Sequence, residues 1–151
     1  ADMTGAVFTG AKIDGCVGAN FHAVIGEHDK ITAYQKIAAG ARVWNEWREA
    51  AGINLPDLSG TNLTGYNLTN ANLFGVDFTG CIMVNTNLEN ANLEKAVLKK
   101  ADLSGAHFKN AKLKDADLKY SRLNETNFSG ADLQNVKINK YLRESVFGDN
   151  G

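Results

Sequence analysis

The sequence predicts an all-β solenoid, in which the chain coils around one axis and turns a corner every five residues. A large apolar residue, the centre of each repeat, recurs at every fifth position from 58 to 138, which gives 17 consecutive repeats. The residue two positions before a centre is Ala in eight repeats, and the residue two positions after it is Gly or Asn in 11. Large, small and corner-forming residues therefore keep one common period.

A period of five excludes both standard elements. An α-helix would turn about 140° between successive centres, so that the centres would spiral around it. In a straight strand successive centres would point to opposite faces, because five is an odd number. A right-angle bend in each repeat instead directs every centre to a common axis, and four repeats then close a square coil. Gly and Asn suit the corners, since both tolerate the turn conformations that other residues avoid.

These repeats resemble those of the pentapeptide-repeat proteins, whose motif is Ala-(Asp/Asn)-Leu-X-X. The segments "ANLFG", "ANLEK", "ADLSG", "ADLKY" and "ADLQN" match the motif in full, and the resemblance covers residues 56–140. It implies a right-handed quadrilateral β-helix. The departures include Tyr66 in a small-residue slot, and Ile82, Val97, Lys112, Arg122 and Lys137 where Asp or Asn is usual.

The chain divides into four predicted segments. Residues 1–25 form a short repeat segment, residues 26–55 a capping helix and linker, residues 56–140 the main β-helix, and residues 141–151 a C-terminal cap or tail. Trp44 and Trp47 belong to a helical apolar pattern that predicts one amphipathic helix over about residues 30–51, starting after Asp29 and ending at Gly52. This helix resembles the Trp-containing helix that often precedes such repeats in bacterial proteins. We expect it to cover the first coil, and Leu142, Val146 and Phe147 to cover the last.

The first segment leaves two arrangements open. It holds three clear repeats, centred on Met3, Phe8 and Ile13, and the pattern restarts out of register at Phe21. One coil alone cannot bury its apolar face. The segment therefore either adds an outer coil to its own β-helix or stacks on another molecule, which predicts a homodimer or an end-to-end assembly.

The residues that carry chemistry are not arranged for catalysis. His22, His28 and His107 are scattered, and the set of His, Cys, Asp and Glu shows no metal-ligand spacing. Cys16 and Cys81 both occupy the small-residue slot, which is typical of a buried apolar side chain. The glycines follow the period of five and form no phosphate-binding loop. We therefore expect no enzyme activity, no cofactor and no metal.

Composition limits the partners. The formal net charge is −1, which disfavours a strongly basic nucleic-acid binder. No apolar run approaches the length of a membrane span, and no signal peptide is visible, so we expect a cytoplasmic protein without a membrane partner. Two cysteines do not make a disulfide framework.

Two surfaces are candidates for binding a protein partner. Faces are numbered one to four from the repeat centred on Leu58, and equivalent positions recur every 20 residues. The basic stripe follows faces four and one, whereas the apolar candidate lies on face two with one further residue on face four. The basic stripe consists of Lys95, Lys99, Lys112, Lys114 and Lys119, and the apolar candidate consists of Ile82, Val84 and Phe74.

Three functions compete on this basis. The first is a non-enzymatic scaffold that presents flat faces to a protein partner. The second, implied by the family resemblance, is a DNA-mimic inhibitor of gyrase or another topoisomerase. That mode needs a strongly negative rod, which the basic stripe and the net charge of −1 disfavour. The third is a self-assembling structural module, suggested by the first three repeats.

Overall fold

The computed structural model describes residues 21–51 and 56–147. Two helices, α1 (Phe21–Ala38) and α2 (Ala41–Ala51), precede a stack of coils, and α3 (Lys140–Phe147) follows it. The single helix predicted over residues 30–51 is wrong, because α1 starts earlier and the helix is interrupted at Gly40. Gly40 has a φ of 103°, which breaks the helical path and favours Gly. Phe21 lies at the start of α1 rather than in a repeat.

The coil stack, residues 56–139, is held together by pairing between positions 20 residues apart. Thirteen parallel bridges link its described residues, and each joins a residue to the one 20 positions later, as in Ile82 with Asp102. Every bridge is isolated, and these residues form no continuous strand or sheet. The parallel pairing at a period of 20 that the predicted all-β solenoid requires is present, but extended strands are not, and the solenoid stays a prediction. The reason for the missing strands is geometric, since a corner follows within two residues of each paired position.

Each repeat from the one centred on Leu58 to the one centred on Leu113 makes the same three bonds to the next coil. In the repeat centred on Met83, the Met83 N–H donates to the Asp102 carbonyl at 2.8 Å, and the Asn85 N–H donates to the Ser104 carbonyl at 3.0 Å. The Asp102 N–H donates back to the Cys81 carbonyl at 2.8 Å. This pattern pairs the backbone groups through which neighbouring coils face each other.

The corners explain the residue preferences around each centre. The residue two positions after a centre has positive φ, for example 69° at Gly60 and 54° at Asn85. The Asp or Asn before the centre accepts a bond from the backbone two residues on, as the Asp102 carboxylate does from the Ser104 N–H at 3.1 Å. Such a side-chain turn stabilises the corner locally.

The core is an axial ladder that loosens at its far end. The centres from position 58 to position 118 are fully buried, as are most of the small residues beside them. The last coil differs, because Leu123, Phe128, Leu133 and Ile138 are only partly buried. The end next to α1 and α2 is called the proximal end below, and the end formed by the last coil is the distal end.

Candidate functional site

Helix α2 closes the proximal end with side-chain hydrogen bonds. Trp44 is fully buried, and its indole N–H donates to the Asn72 carbonyl at 2.7 Å. The Asn45 amide takes both roles: its Oδ1 accepts from the Asn72 N–H at 2.7 Å, and its Nδ2 donates to the Asn70 carbonyl at 3.1 Å. The prediction that Trp44 covers the first coil is confirmed, and Trp47 packs partly buried beside it.

Arg48 completes this cap on face four. One guanidinium nitrogen donates to the Phe74 carbonyl at 3.1 Å, and the group lies 5.8 Å from the centre of the Trp44 ring. Burial lowers the pKa of Arg48. The carbonyls of the first coil on face four would otherwise lack partners, so α2 replaces the coil that would precede it.

The basic stripe contains two kinds of lysine. Lys99 pairs with Asp117, with 3.4 Å between Nζ and Oδ2, and the Lys95 ammonium lies 5.8 Å from the centre of the Phe74 ring. Within the described part of the chain, Lys112, Lys114 and Lys119 have no ion pair or hydrogen bond through their side chains. Lys112 and Lys119 are exposed, and Lys114 is half-buried.

The structure adds residues to this surface that sequence reasoning missed. Tyr120 follows Lys119 at the corner of face one, is 61% exposed, and has a φ of 64°. A bulky residue in a corner slot that favours Gly or Asn is the signal that marked it in the sequence. Lys100 occupies the equivalent corner of the preceding coil, and Lys140, the first residue of α3, lies 20 residues after Tyr120; both are exposed. The positive surface therefore continues along the corner of face one.

The apolar candidate does not form one surface. Ile82 is 45% exposed on face two, and Val84 beside it is half-buried. Phe74 lies on face four, on the opposite side of the coil, under the Lys95 ammonium. The structure therefore separates Phe74 from the other two residues, and Ile82 remains the exposed member.

The described residues offer little for covalent or metal chemistry. Cys81 is a buried thiol that donates to the Leu58 carbonyl at 2.9 Å, and burial raises its pKa, which disfavours the reactive thiolate. Among the residues that the structure places, no three His, Cys, Asp or Glu side chains come together as a metal site. None of the described helices has the length and apolar character to cross a membrane.

This architecture defines a class of repeat protein. Its core is filled by side chains, a helix caps one end, and part of its outer surface is basic. Residues 71–145 match the family described as "Pentapeptide repeat region". This match, together with the five-residue period, assigns the chain to the pentapeptide-repeat proteins. Among curated proteins, none matches the sequence.

Several solved structures of pentapeptide-repeat proteins are similar to this chain. Rfr23 from the cyanobacterium Cyanothece 51142 is 30% identical over 55% of this chain and 60% of its own, with a TM-score of 0.40. The chain thus spans about three fifths of Rfr23. The protein alr5209 from Nostoc Pcc 7120 is 22% identical over 66% of this chain and 97% of its own, with a TM-score of 0.44. Full-length QnrB1, a plasmid-mediated fluoroquinolone resistance protein, is 19% identical over 63% of this chain and 70% of its own, with a TM-score of 0.20.

Proposed function

We propose that this protein is a non-enzymatic scaffold whose basic stripe docks an acidic protein partner, and that its coils form a right-handed quadrilateral β-helix. The observation that carries the docking proposal is the set of three lysines without an ion pair, Lys112, Lys114 and Lys119, on two adjacent faces. None of their ammonium groups is held by a carboxylate in the described part of the chain, so each is available to a partner. The proposed setting is the cytoplasm.

The fold supports this role because it fixes where the charges stand. Successive coils of paired backbone are about 4.8 Å apart, so equivalent residues form a column with regular spacing. A paired backbone is ordered before the partner arrives, and binding then costs less conformational entropy. Exposed charges in such an array raise the rate of encounter with an oppositely charged partner and select against basic ones.

The DNA-mimic alternative finds less support. A mimic of duplex DNA must present a continuous negative surface, whereas faces four and one present the basic stripe.

The apolar candidate on face two is the competing docking surface, because Ile82 is exposed. If this surface binds the partner, the affinity should depend little on salt concentration, since apolar contacts are not screened by ions.

A binding experiment with immobilised wild type and matched variants tests the proposal. One variant replaces three lysines of the stripe by neutral residues, Lys112→Gln, Lys114→Gln and Lys119→Gln. The control places the same change in net charge elsewhere, with Thr64→Glu, Asn124→Glu and Ser129→Glu at exposed positions of faces two and three. Immobilised wild type, both variants and Val84→Asp are exposed to a native cell extract at low and high salt, and the retained proteins are identified and titrated.

The expected result is a protein partner that binds wild type and the control, and binds the lysine variant at least tenfold more weakly. Its binding to wild type falls with salt, because exposed charges are screened beyond about 8–10 Å at 0.1–0.15 M. Equal binding of the lysine variant and wild type at every salt concentration contradicts the proposal. Loss only in Val84→Asp, without salt dependence, assigns docking to face two. A DNA supercoiling assay with gyrase tests the mimic, which predicts inhibition.

A further inference from the structure

The two ends of the coil stack differ in how they are closed. At the proximal end, side chains of α2 bond to backbone groups of the first coil. At the distal end, the last coil repeats the backbone geometry of the interior coils, but none of the described residues forms a coil beyond it. The consequence is a row of polar backbone groups along faces two, three and four.

These unpaired groups follow the bonding pattern of the interior repeats. On faces two to four of the last coil, six N–H groups that would donate to a following coil have no acceptor, and three carbonyls that would accept from it have no donor. The N–H groups belong to Leu123, Glu125, Phe128, Gly130, Leu133 and Asn135, and the carbonyls to Ser121, Thr126 and Ala131. A strand edge with such a row of unpaired N–H and carbonyl groups is a template for pairing with a further strand.

The apolar ladder is also left open at this end. The Phe128 ring stacks on Phe108 with 5.2 Å between ring centres, but its other side lacks a complete cover, since Phe128 is only partly buried. Leu123 and Leu133 on the flanking faces are partly buried as well. Helix α3 therefore does not do at the distal end what α2 does at the proximal end, and the predicted cover by Leu142, Val146 and Phe147 is incomplete.

We propose that the first 15 residues of a second copy of this chain dock on the distal end as an added coil. These residues lie outside the described part of the chain, and their sequence carries three repeats, centred on Met3, Phe8 and Ile13. Three repeats match the three open faces of the last coil. The inference stands apart from the proposed binding of an acidic partner.

The register of this added coil follows from the interior pattern. Met3 lies over Leu123, Phe8 over Phe128 and Ile13 over Leu133, so each open centre gains an apolar neighbour. The carbonyls before and after each new centre accept from the six free N–H groups, and three N–H groups of the new coil donate to the free carbonyls. Gly5, Gly10 and Gly15 fall on the corner positions, where positive φ is required.

A second copy is favoured over the same chain because the apolar side of the first coil is already covered: Leu58, Leu63 and Leu68 are fully buried in one cluster with Ile37 and Trp44. A coil added there by residues 1–15 of the same molecule would have to separate Ile37 and Trp44 from this cluster and, on face four, break the Trp44 and Asn45 bonds to Asn72. Docking on the distal end of another molecule keeps these bonds. The contact is head to tail, so it does not close on itself and produces chains of increasing length.

Cysteine cross-linking between separate chains tests the register. In a Cys16→Ser background, one protein carries Thr9→Cys and another carries Ser129→Cys, which the added coil places about 4.8 Å apart. That spacing lies within the range that a disulfide spans. The expected product, after mixing and mild oxidation, is a disulfide-linked heterodimer. The matched control pairs Thr9→Cys with Ser104→Cys, on another coil and another face, and should not cross-link.

Sedimentation over a range of protein concentration supplies the second readout. Wild type should associate progressively, Phe8→Asp should stay monomeric because it places a charge in the added core, and Thr9→Asp should behave as wild type because its side chain faces outward. A wild type that stays monomeric at every concentration overturns the proposal, as does equal cross-linking of Ser104→Cys. A cross-link that forms only within one chain carrying both Thr9→Cys and Ser129→Cys also overturns it, in favour of the chain's own distal end.

Discussion

Corner residues carry a backbone cost that the sequence shows only in part. Asn and Gly dominate this position, and both suit a positive φ. Lys95, Lys100 and Tyr120 adopt the same conformation, with φ between 57° and 64°, and nothing in their chemistry favours it. The corner could be predicted from the majority of repeats, whereas these exceptions are imposed by the neighbouring coils.

Two glycines at equivalent corners separate backbone strain from crowding. Gly60 and Gly105 have φ of 69° and 67°, but a Cβ at Gly60 meets open space, while one at Gly105 meets Asn85 Oδ1. Gly60→Ala should cost about 1–2 kcal/mol through its φ, and Gly105→Ala about 1 kcal/mol more through overpacking. Chemical denaturation measures both, and equal losses would show that the Asn85 side chain simply moves aside.

The ladder position of Leu103 predicts a large loss on truncation. Leu103 is fully buried in the middle of the stack, so Leu103→Ala should reduce the free energy of unfolding by about 2–5 kcal/mol. Ser129→Ala, at an exposed outward position, should change it by less than about 0.5 kcal/mol. Ser104 is a poorer control, because its hydroxyl donates to the Asp102 carboxylate at 2.6 Å. Similar losses for Leu103→Ala and Ser129→Ala would contradict the inward assignment.

The helices at the proximal end were predictable in composition but not in detail. The spacing of Ile37 and Trp44 indicated a helical apolar face, and both residues are fully buried. The interruption at Gly40 was not apparent, because a single glycine inside a helical pattern is tolerated. The polar contacts of Asn45 depend on where the helix end meets the first coil, and no local pattern reports that.

The cap at Asn45 can be tested by one substitution. Asn45→Ala removes both bonds to the first coil and leaves the Asn72 N–H without its partner, which should cost about 1–3 kcal/mol. Arg42→Ala is the matched control on the same helix, since the exposed pair Arg42–Glu46 contributes at most about 0.5 kcal/mol. Urea unfolding of both variants provides the measurement. Equal stabilities would show that α2 holds the stack through Trp44 and Arg48 without help from Asn45.

Across the whole molecule, the period of 20 allowed the faces to be assigned from sequence. The lysines predicted on faces four and one occupy those faces, because every bridge joins equivalent positions. What the sequence did not reveal is which charges are already engaged. Lys99 reaches Asp117 and Lys95 reaches Phe74 through side-chain rotamers that a period cannot specify. The candidate surface thereby reduces to three free lysines and the corner beside them.

The bridges between positions 20 apart also fix the angular position of each outward face around the axis of the stack. A gain or loss of 20 residues in the stack adds or removes one full turn, and every outward column keeps its alignment. A gain or loss of one repeat rotates everything beyond it by a quarter turn relative to α2. The two halves of the basic stripe would then face different directions, although every repeat would still fold. Length can therefore vary in this architecture only in whole turns if an outer surface is to be preserved.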